Sequence, residues 1–165
     1  MEGKMNRWGI GPLLFSLSTI YGLIILIVDN HFYPMFQVKF LPYQYFIYLA
    51  TTVFIIGIPF FITSIITITR AYNANKLVTN GIFKFCRHPL YASWVVFIVP
   101  GIVLLLNSWI GFTIPIFMYI ILWFLIRKEE KYLENTFGRK YLNYKKKVPA
   151  ILPYGWLKSN KQQAR

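Results

Sequence analysis

The sequence predicts an all-α integral membrane protein with about four transmembrane helices, a helical hairpin formed by spans 3 and 4, and a cytoplasmic amphipathic C-terminal helix. Three observations predict it. The chain is 56% hydrophobic and 19% aromatic, with a mean hydropathy of +0.48, too apolar for a soluble domain of 165 residues. Uncharged runs of bilayer-spanning length recur along it. The charge is lopsided, 18 Lys+Arg against 5 Asp+Glu for a net +13, and it gathers between and after those runs.

Trp8 to Val28 is the first uncharged run, close to the roughly 20 residues a spanning helix needs. Asp29-Asn30-His31-Phe32-Tyr33 follows it, with no small-x-small cleavage signal, so it reads as a retained span and not as a signal peptide. Pro42 to Thr69 is a longer run, whose excess length is absorbed by tilt, by a kink near Gly57 and Pro59, or by extension into the interface. Spans 3 and 4, Pro89 to Leu106 and Trp109 to Ile126, are separated by Asn107-Ser108, which predicts a tight helical hairpin turning at the far membrane surface. After Ile126 the pattern stays helical but becomes amphipathic, with Gly138 as the expected interruption, because glycine is costly inside a helix. "PYGW", Pro153 to Trp156, suits a chain returning to the interface, where Tyr and Trp settle. With no internal repeat and no low-complexity linker, residues 1–165 read as a single membrane domain.

The basic residues orient the spans. Lys4 and Arg7 precede span 1, and Lys39 is alone in the first loop. Arg70, Lys76, Lys84 and Arg87 fill the second loop, and eleven of the eighteen basic residues lie from Arg127 onward. Both termini and the second loop are therefore expected in the cytoplasm. The single cysteine, Cys86, excludes an internal disulfide and any Cys-x-x-Cys pair. It is expected to be a small apolar filler, and no metal is expected. The basic excess permits anionic membrane or nucleic acid as partner. The apolar runs favour the membrane, and no nucleic-acid module is recognised.

Two clusters carry the candidate chemistry. In Arg87-His88-Pro89-Leu90-Tyr91, Pro89 suits the first helical position, where its missing N–H costs nothing. His88 before it is biased out of helical geometry. A helix N-terminus with an adjacent Arg and a first-turn Tyr can hold a carboxylate or phosphate. The plainer reading, a positively charged anchor and an interface Tyr at a helix mouth, has equal weight on physics alone. In "RKEEKYLENTFG", Arg127 to Gly138, helical spacing pairs Glu130 with Arg127 and Glu134 with Lys131. Glu129 has only Leu125, Ile126, Tyr132 and Leu133 at those spacings, and an unpaired carboxylate near membrane level is expensive. Either Arg87 or a ligand is expected to satisfy it.

"LVTNGIFKFCRHPLY", Leu77 to Tyr91, and "EEKYLENTFGRKYLNYKKKVP", Glu129 to Pro149, resemble two signature segments of the isoprenylcysteine carboxyl methyltransferase-like and phospholipid methyltransferase-like membrane enzymes. These segments are L-V-x-x-G-x-[YF]-x-x-x-R-H-P-x-Y and E-E-x-x-L-x-x-x-F-G-x-x-Y-x-x-Y. The resemblance covers roughly residues 70 to 153. It implies S-adenosylmethionine as cofactor, bound by Gly81, Arg87, His88, Pro89, Tyr91, Glu129 and Glu130, and a lipophilic or membrane-partitioned methyl acceptor. The R-H-P form resembles the isoprenylcysteine branch, whose acceptor is a carboxylate. A phospholipid amine, a small thiol, or a non-catalytic relative that binds anionic lipid or a protein partner are the alternatives. The geometric expectation is that Arg87, His88 and Tyr91 converge with Glu129 or Glu130 around one cytoplasm-facing cavity.

Overall fold

A computed structural model describes residues 9–74 and 76–151. Among them the regular structure is helical, with one isolated bridge between Gln37 and Ser108. Four helices are long and apolar enough to cross a membrane: α1 (Gly11–His31), α2 (Tyr43–Asn73), α3 (Pro89–Leu106), and α4 (Thr113–Phe137) with the 3₁₀ turn Ile110–Phe112 that leads into it. A short fifth helix, α5 (Arg139–Lys147), follows. Trp8, expected to open span 1, and Pro153 to Trp156, expected at the interface, lie outside the described residues.

Local chemistry sets the boundaries. Pro12 stands in the first turn of α1 and Pro89 in that of α3, where neither needs an N–H. α2 runs unbroken through Pro59. α3 widens to a π-helix over Ser93–Ile98 and returns to α-helix ahead of Pro100. A proline lacks the N–H that would close the ordinary turn, so the ladder there is re-spaced. α4 does not stop at Ile126, because good helix formers carry it to Phe137, and it ends at Gly138 with φ +52°, a conformation that disfavours other residues. The second half of the expected amphipathic helix is therefore α5, set off from α4 by that glycine.

α3 and α4 form the hairpin. α1 packs on α4, and α2 packs on α3. α2 and α3 approach closely at two glycines: a Cβ on Gly101 would stand 2.7 Å from Phe54 Cε1, and Gly57 faces Phe97. Close backbone approach is how helices gain packing contacts in lipid, where apolar burial gives little drive. The outward faces of α1 and α2 are apolar and are not covered by the other described residues. Only 17% of the spanning window of each is buried within the protein, which suits a hydrocarbon solvent and not water. At the far end, Ser108 Oγ donates to Asp29 Oδ1 (2.6 Å), while Val38 N–H and Trp109 N–H tie the loop 32–42 to the hairpin turn. Asn107, at φ 52°, makes that turn.

Candidate active site

The opposite end of the bundle holds the charged residues. His88 caps α3 from outside helical geometry, and Tyr91 lies one turn in. The loop carrying Arg87 and His88 is fixed by a strap that follows α5. Arg87 N–H donates to Pro149 O (2.9 Å) and His88 N–H to Ala150 O (3.0 Å), and Ile151 packs into the main core. Cys86 is buried beside them, and burial pushes its thiol up to about 11, which leaves it a filler and not a nucleophile.

α4 delivers the carboxylates. Its buried stripe steps by four, Ile114, Met118, Leu122, Ile126, and the next step is Glu130, 7% exposed. That stride corrects the expected local pairings. Glu130 faces inward while Arg127 and Lys131 are exposed, so Arg127 lies over the Trp123 ring instead. Glu130 is ion-paired with the Arg87 guanidinium and with Lys145 Nζ (2.9 Å), and Lys145 also binds Glu134. Arg87 Nη1 donates to Lys145 O (2.9 Å), so one guanidinium fastens both α4 and α5.

Glu129 is satisfied from elsewhere in the chain, by Tyr91 and His88 instead of Arg87. The Tyr91 hydroxyl donates to its Oε2 (2.9 Å). His88 lies between the two carboxylates, with Nδ1 3.6 Å from Glu129 Oε1 and Nε2 3.6 Å from Glu130 Oε1. Burial opposes a charge on His88, but the two carboxylates outweigh it and raise its pKa above the ordinary value. The N-terminus of α1 closes the third side. A Cβ on Gly9 would stand 3.0 Å from Glu129 Oε2 and 3.2 Å from the Tyr91 hydroxyl, and one on Gly11 3.9 Å from Tyr91 Cε1. Three carboxylates (Glu129, Glu130, Glu134) thus meet Arg87, Lys145 and His88 in one network that runs from buried Glu130 and His88 out to partly exposed Lys145 and Glu134.

The structure brings together Arg87, His88, Tyr91, Glu129 and Glu130, with Pro89 buried as the first residue of α3. Gly81 stands apart. It opens the 3₁₀ turn Gly81–Lys84 at φ +61°, with nothing within 4 Å of where a Cβ would be. Lys145 and the backbone of residues 9–11 belong to the site and were not expected. Lys145 carried no sequence signal beyond its place in a basic run. The four-residue stride that ends on Glu130 was present in the sequence.

The family model described as "Isoprenylcysteine carboxyl methyltransferase (ICMT) family" matches residues 45–135. The mouse protein-S-isoprenylcysteine O-methyltransferase is 34% identical over 82 residues, 50% of this chain and 29% of that protein. The Dictyostelium discoideum protein of the same name is 42% identical over 79 residues, 47% of this chain and 32% of that one. The Arabidopsis thaliana protein-S-isoprenylcysteine O-methyltransferase B is 27% identical over 151 residues, 85% of this chain and 74% of that one. This chain thus spans about three-tenths of the length of the mouse protein and about three-quarters of the plant protein. No solved structure matches. The match spans α2 through most of α4 and so includes Arg87, His88, Tyr91, Glu129 and Glu130, and on it the chain belongs to the isoprenylcysteine carboxyl methyltransferase family.

Proposed function

We propose that this chain is a membrane-embedded methyltransferase that uses S-adenosylmethionine to methylate the carboxylate of an isoprenylcysteine-like acceptor. The observation that carries the reading is the convergence of Arg87, His88 and Tyr91 with Glu129 and Glu130 at one end of an apolar bundle, in a chain of this family. The residues fit such a cofactor. His88 Nε2 and Arg87 Nε are buried without a hydrogen-bond partner among the described residues, and orphaned donors of this kind are costly unless a ligand takes them. Arg87, His88 and the α3 N-terminus suit the cofactor's carboxylate. Glu129 and Glu130 suit its ammonium or its ribose hydroxyls, Pro89 starts the helix beside them, and Gly81 allows the turn that leads the chain toward Arg87. Bound there, S-adenosylmethionine supplies an electrophilic methyl on a sulfonium.

The protein's own contribution is positioning. A carboxylate acceptor is already ionised at neutral pH, so its oxygen can attack in line without losing a proton. The site agrees with that demand. His88 has a glutamate 3.6 Å from each ring nitrogen, Glu129 at Nδ1 and Glu130 at Nε2, so no base stands free beside it, whereas an amine or thiol acceptor would have to be deprotonated. The lipid tail of the acceptor has an apolar approach beside Trp94, which lies edge-on to Phe15 of α1 and to Phe61 of α2, one turn below Tyr91. Arg70, Lys76, Lys84, Arg87 and the lysines of α5 gather at the site end, against Lys39 at the other. This supports a site facing the cytoplasm, with both termini on that side.

The test is labelled-methyl transfer by the purified protein, with a prenylcysteine, phosphatidylethanolamine and a small thiol offered together. Base-labile label in the prenylcysteine is expected. Label confined to the amine or the thiol, or absent from all three, overturns the acceptor assignment. Cofactor affinity unchanged in a Glu129→Gln, Glu130→Gln double variant overturns the site assignment.

A further inference from the structure

α5 sets Lys140, Asn143, Tyr144 and Lys147 on one stripe, at the i, i+3, i+4, i+7 spacing that stacks side chains on one helical face. Thr79 and Lys84, on the segment leading to Arg87, stand opposite. Together they line a cavity of about 380 Å³. Its two walls are tied together: the Tyr144 hydroxyl donates to Phe83 O (2.6 Å), and Phe83, Tyr141 and Tyr144 form a buried cluster. The two segments that carry the lysines are therefore held together by packing.

Among the described residues no acidic one lines it. Among the described residues the ion pairs gather on Arg87, His88 and Lys145, leaving Lys84, Lys140 and Lys147 without a carboxylate. Three like charges around one concavity repel each other, and an anion between them removes that cost. Three ammonium groups with a hydroxyl and a carboxamide are donors suited to a phosphate. Two neighbouring side chains indicate its source. Phe85, next to Lys84, and Leu142, next to Asn143, are large, apolar and exposed. Exposed apolar side chains interleaved with lysines, at the level where α2 ends and α3 begins, match an element resting on a bilayer surface.

We propose that the cavity between α5 and the Thr79–Lys84 segment binds the phosphate headgroup of an anionic phospholipid. The site does not depend on methyl transfer. Lys145 lies on α5 next to Tyr144, and Arg87 follows Lys84 by three residues, so a headgroup there would brace two segments that also hold the candidate active site.

The experiment is native mass spectrometry of the detergent-solubilised protein titrated with phosphatidylglycerol, phosphatidylcholine or inorganic phosphate. Phosphatidylglycerol is expected to be retained in preference to phosphatidylcholine. Lys84→Ala, Lys140→Ala and Lys147→Ala are each expected to weaken it about fivefold, and together about 100-fold. Lys128→Ala with Lys131→Ala and Arg139→Ala removes as many exposed cations outside the cavity and is expected to leave retention near wild type. Equal retention of both lipids overturns the proposal, as does equal loss in the two triple variants. Displacement of phosphatidylglycerol by millimolar inorganic phosphate would assign the cavity to free phosphate and overturn the lipid source. Should the triple variant not fold, Asn143→Glu places one negative charge in the middle of the stripe, and undiminished retention there overturns the proposal equally.

Discussion

The Tyr91 hydroxyl donates to Glu129 Oε2 at 2.9 Å, joining the first turn of α3 to α4 across 38 positions of chain. A hydrogen bond to an ionised group contributes about 1.5–3 kcal/mol, and this one is covered by Gly9 ahead of α1. Tyr91→Phe keeps the ring and removes the bond. It is expected to lower the thermal midpoint in detergent and to weaken S-adenosylmethionine binding by about tenfold, measured by calorimetry. Unchanged affinity would place Glu129 outside the cofactor's reach.

Glu130 has two cationic partners of unequal value. Arg87 is nearly buried, with 9% of its side chain exposed, while Lys145 is 36% exposed. Removing a carboxylate from a buried arginine strands a charge and costs about 3–5 kcal/mol, whereas a solvent-screened pair is worth about 1 kcal/mol or less. Glu130→Gln is therefore expected to destabilise much more than Lys145→Ala. Arg87→Lys is expected to fall near Glu130→Gln, because lysine cannot hold both Glu130 and the Lys145 carbonyl. Denaturation midpoints of the three variants check the order.

The helices and the start of α3 were legible because their signals are local: run length, Pro89 and Gly138. The meeting of Arg87, His88 and Tyr91 with the Glu129–Glu130 pair was legible only through two motifs read together. The pairing inside the site was not. Helical spacing offered Arg127 to Glu130, and the fold gave it Arg87 and Lys145, because the inward stride of α4 turns Glu130 away from its own helix's exposed cations. Lys145 lay hidden in a basic run whose other members are exposed or outside the site. The approach of Gly9 and Gly11 to Glu129 and Tyr91 left no trace in side-chain chemistry.

His88 gives the site a pH dependence. Its pKa is raised in the folded protein because Glu129 and Glu130 together outweigh burial. Folding thus favours its protonated form. The resulting stability is fully present below the unfolded value near 6.5 and is lost as pH rises through the higher folded value. The stability difference between wild type and His88→Gln is expected to be largest at acidic pH and to shrink as the pH is raised. Midpoints measured from pH 5.5 to 9 follow it, and a difference that grows with pH would contradict the protonated histidine.

Tyr141 is 1% exposed, and its hydroxyl has no partner among the described residues. A buried hydroxyl without a hydrogen bond costs about 1–3 kcal/mol. Tyr141→Phe removes the hydroxyl and keeps the ring within the Phe83–Tyr144 cluster. It is expected to raise the stability of the ligand-free protein by about 1 kcal/mol, read as a higher midpoint. A lower midpoint would mean that the hydroxyl has a partner.

Gly9 carries the closest approach of the N-terminal turn to the site. A Cβ there would lie 3.0 Å from Glu129 Oε2 and 3.2 Å from the Tyr91 hydroxyl, and the backbone stands at φ +53°. Alanine at Gly9 is therefore strained twice, by about 1–2 kcal/mol for its left-handed backbone and again by contact with two groups held in place by their own hydrogen bond. Gly11, two residues on, is the internal control: a Cβ there meets only Tyr91 Cε1, at an ordinary 3.9 Å, and the position is helical. Gly9→Ala is expected to reduce methyl transfer by about tenfold or more, because the carboxylate and the phenol must shift. Gly11→Ala is expected to stay near wild type and, with alanine's higher helix propensity, to be slightly more stable. Parallel assays of the two variants separate a steric effect on the Glu129–Tyr91 pair from a general effect of altering the α1 N-terminus. Equal losses in both would mean that the turn matters for folding and not for the placement of Glu129.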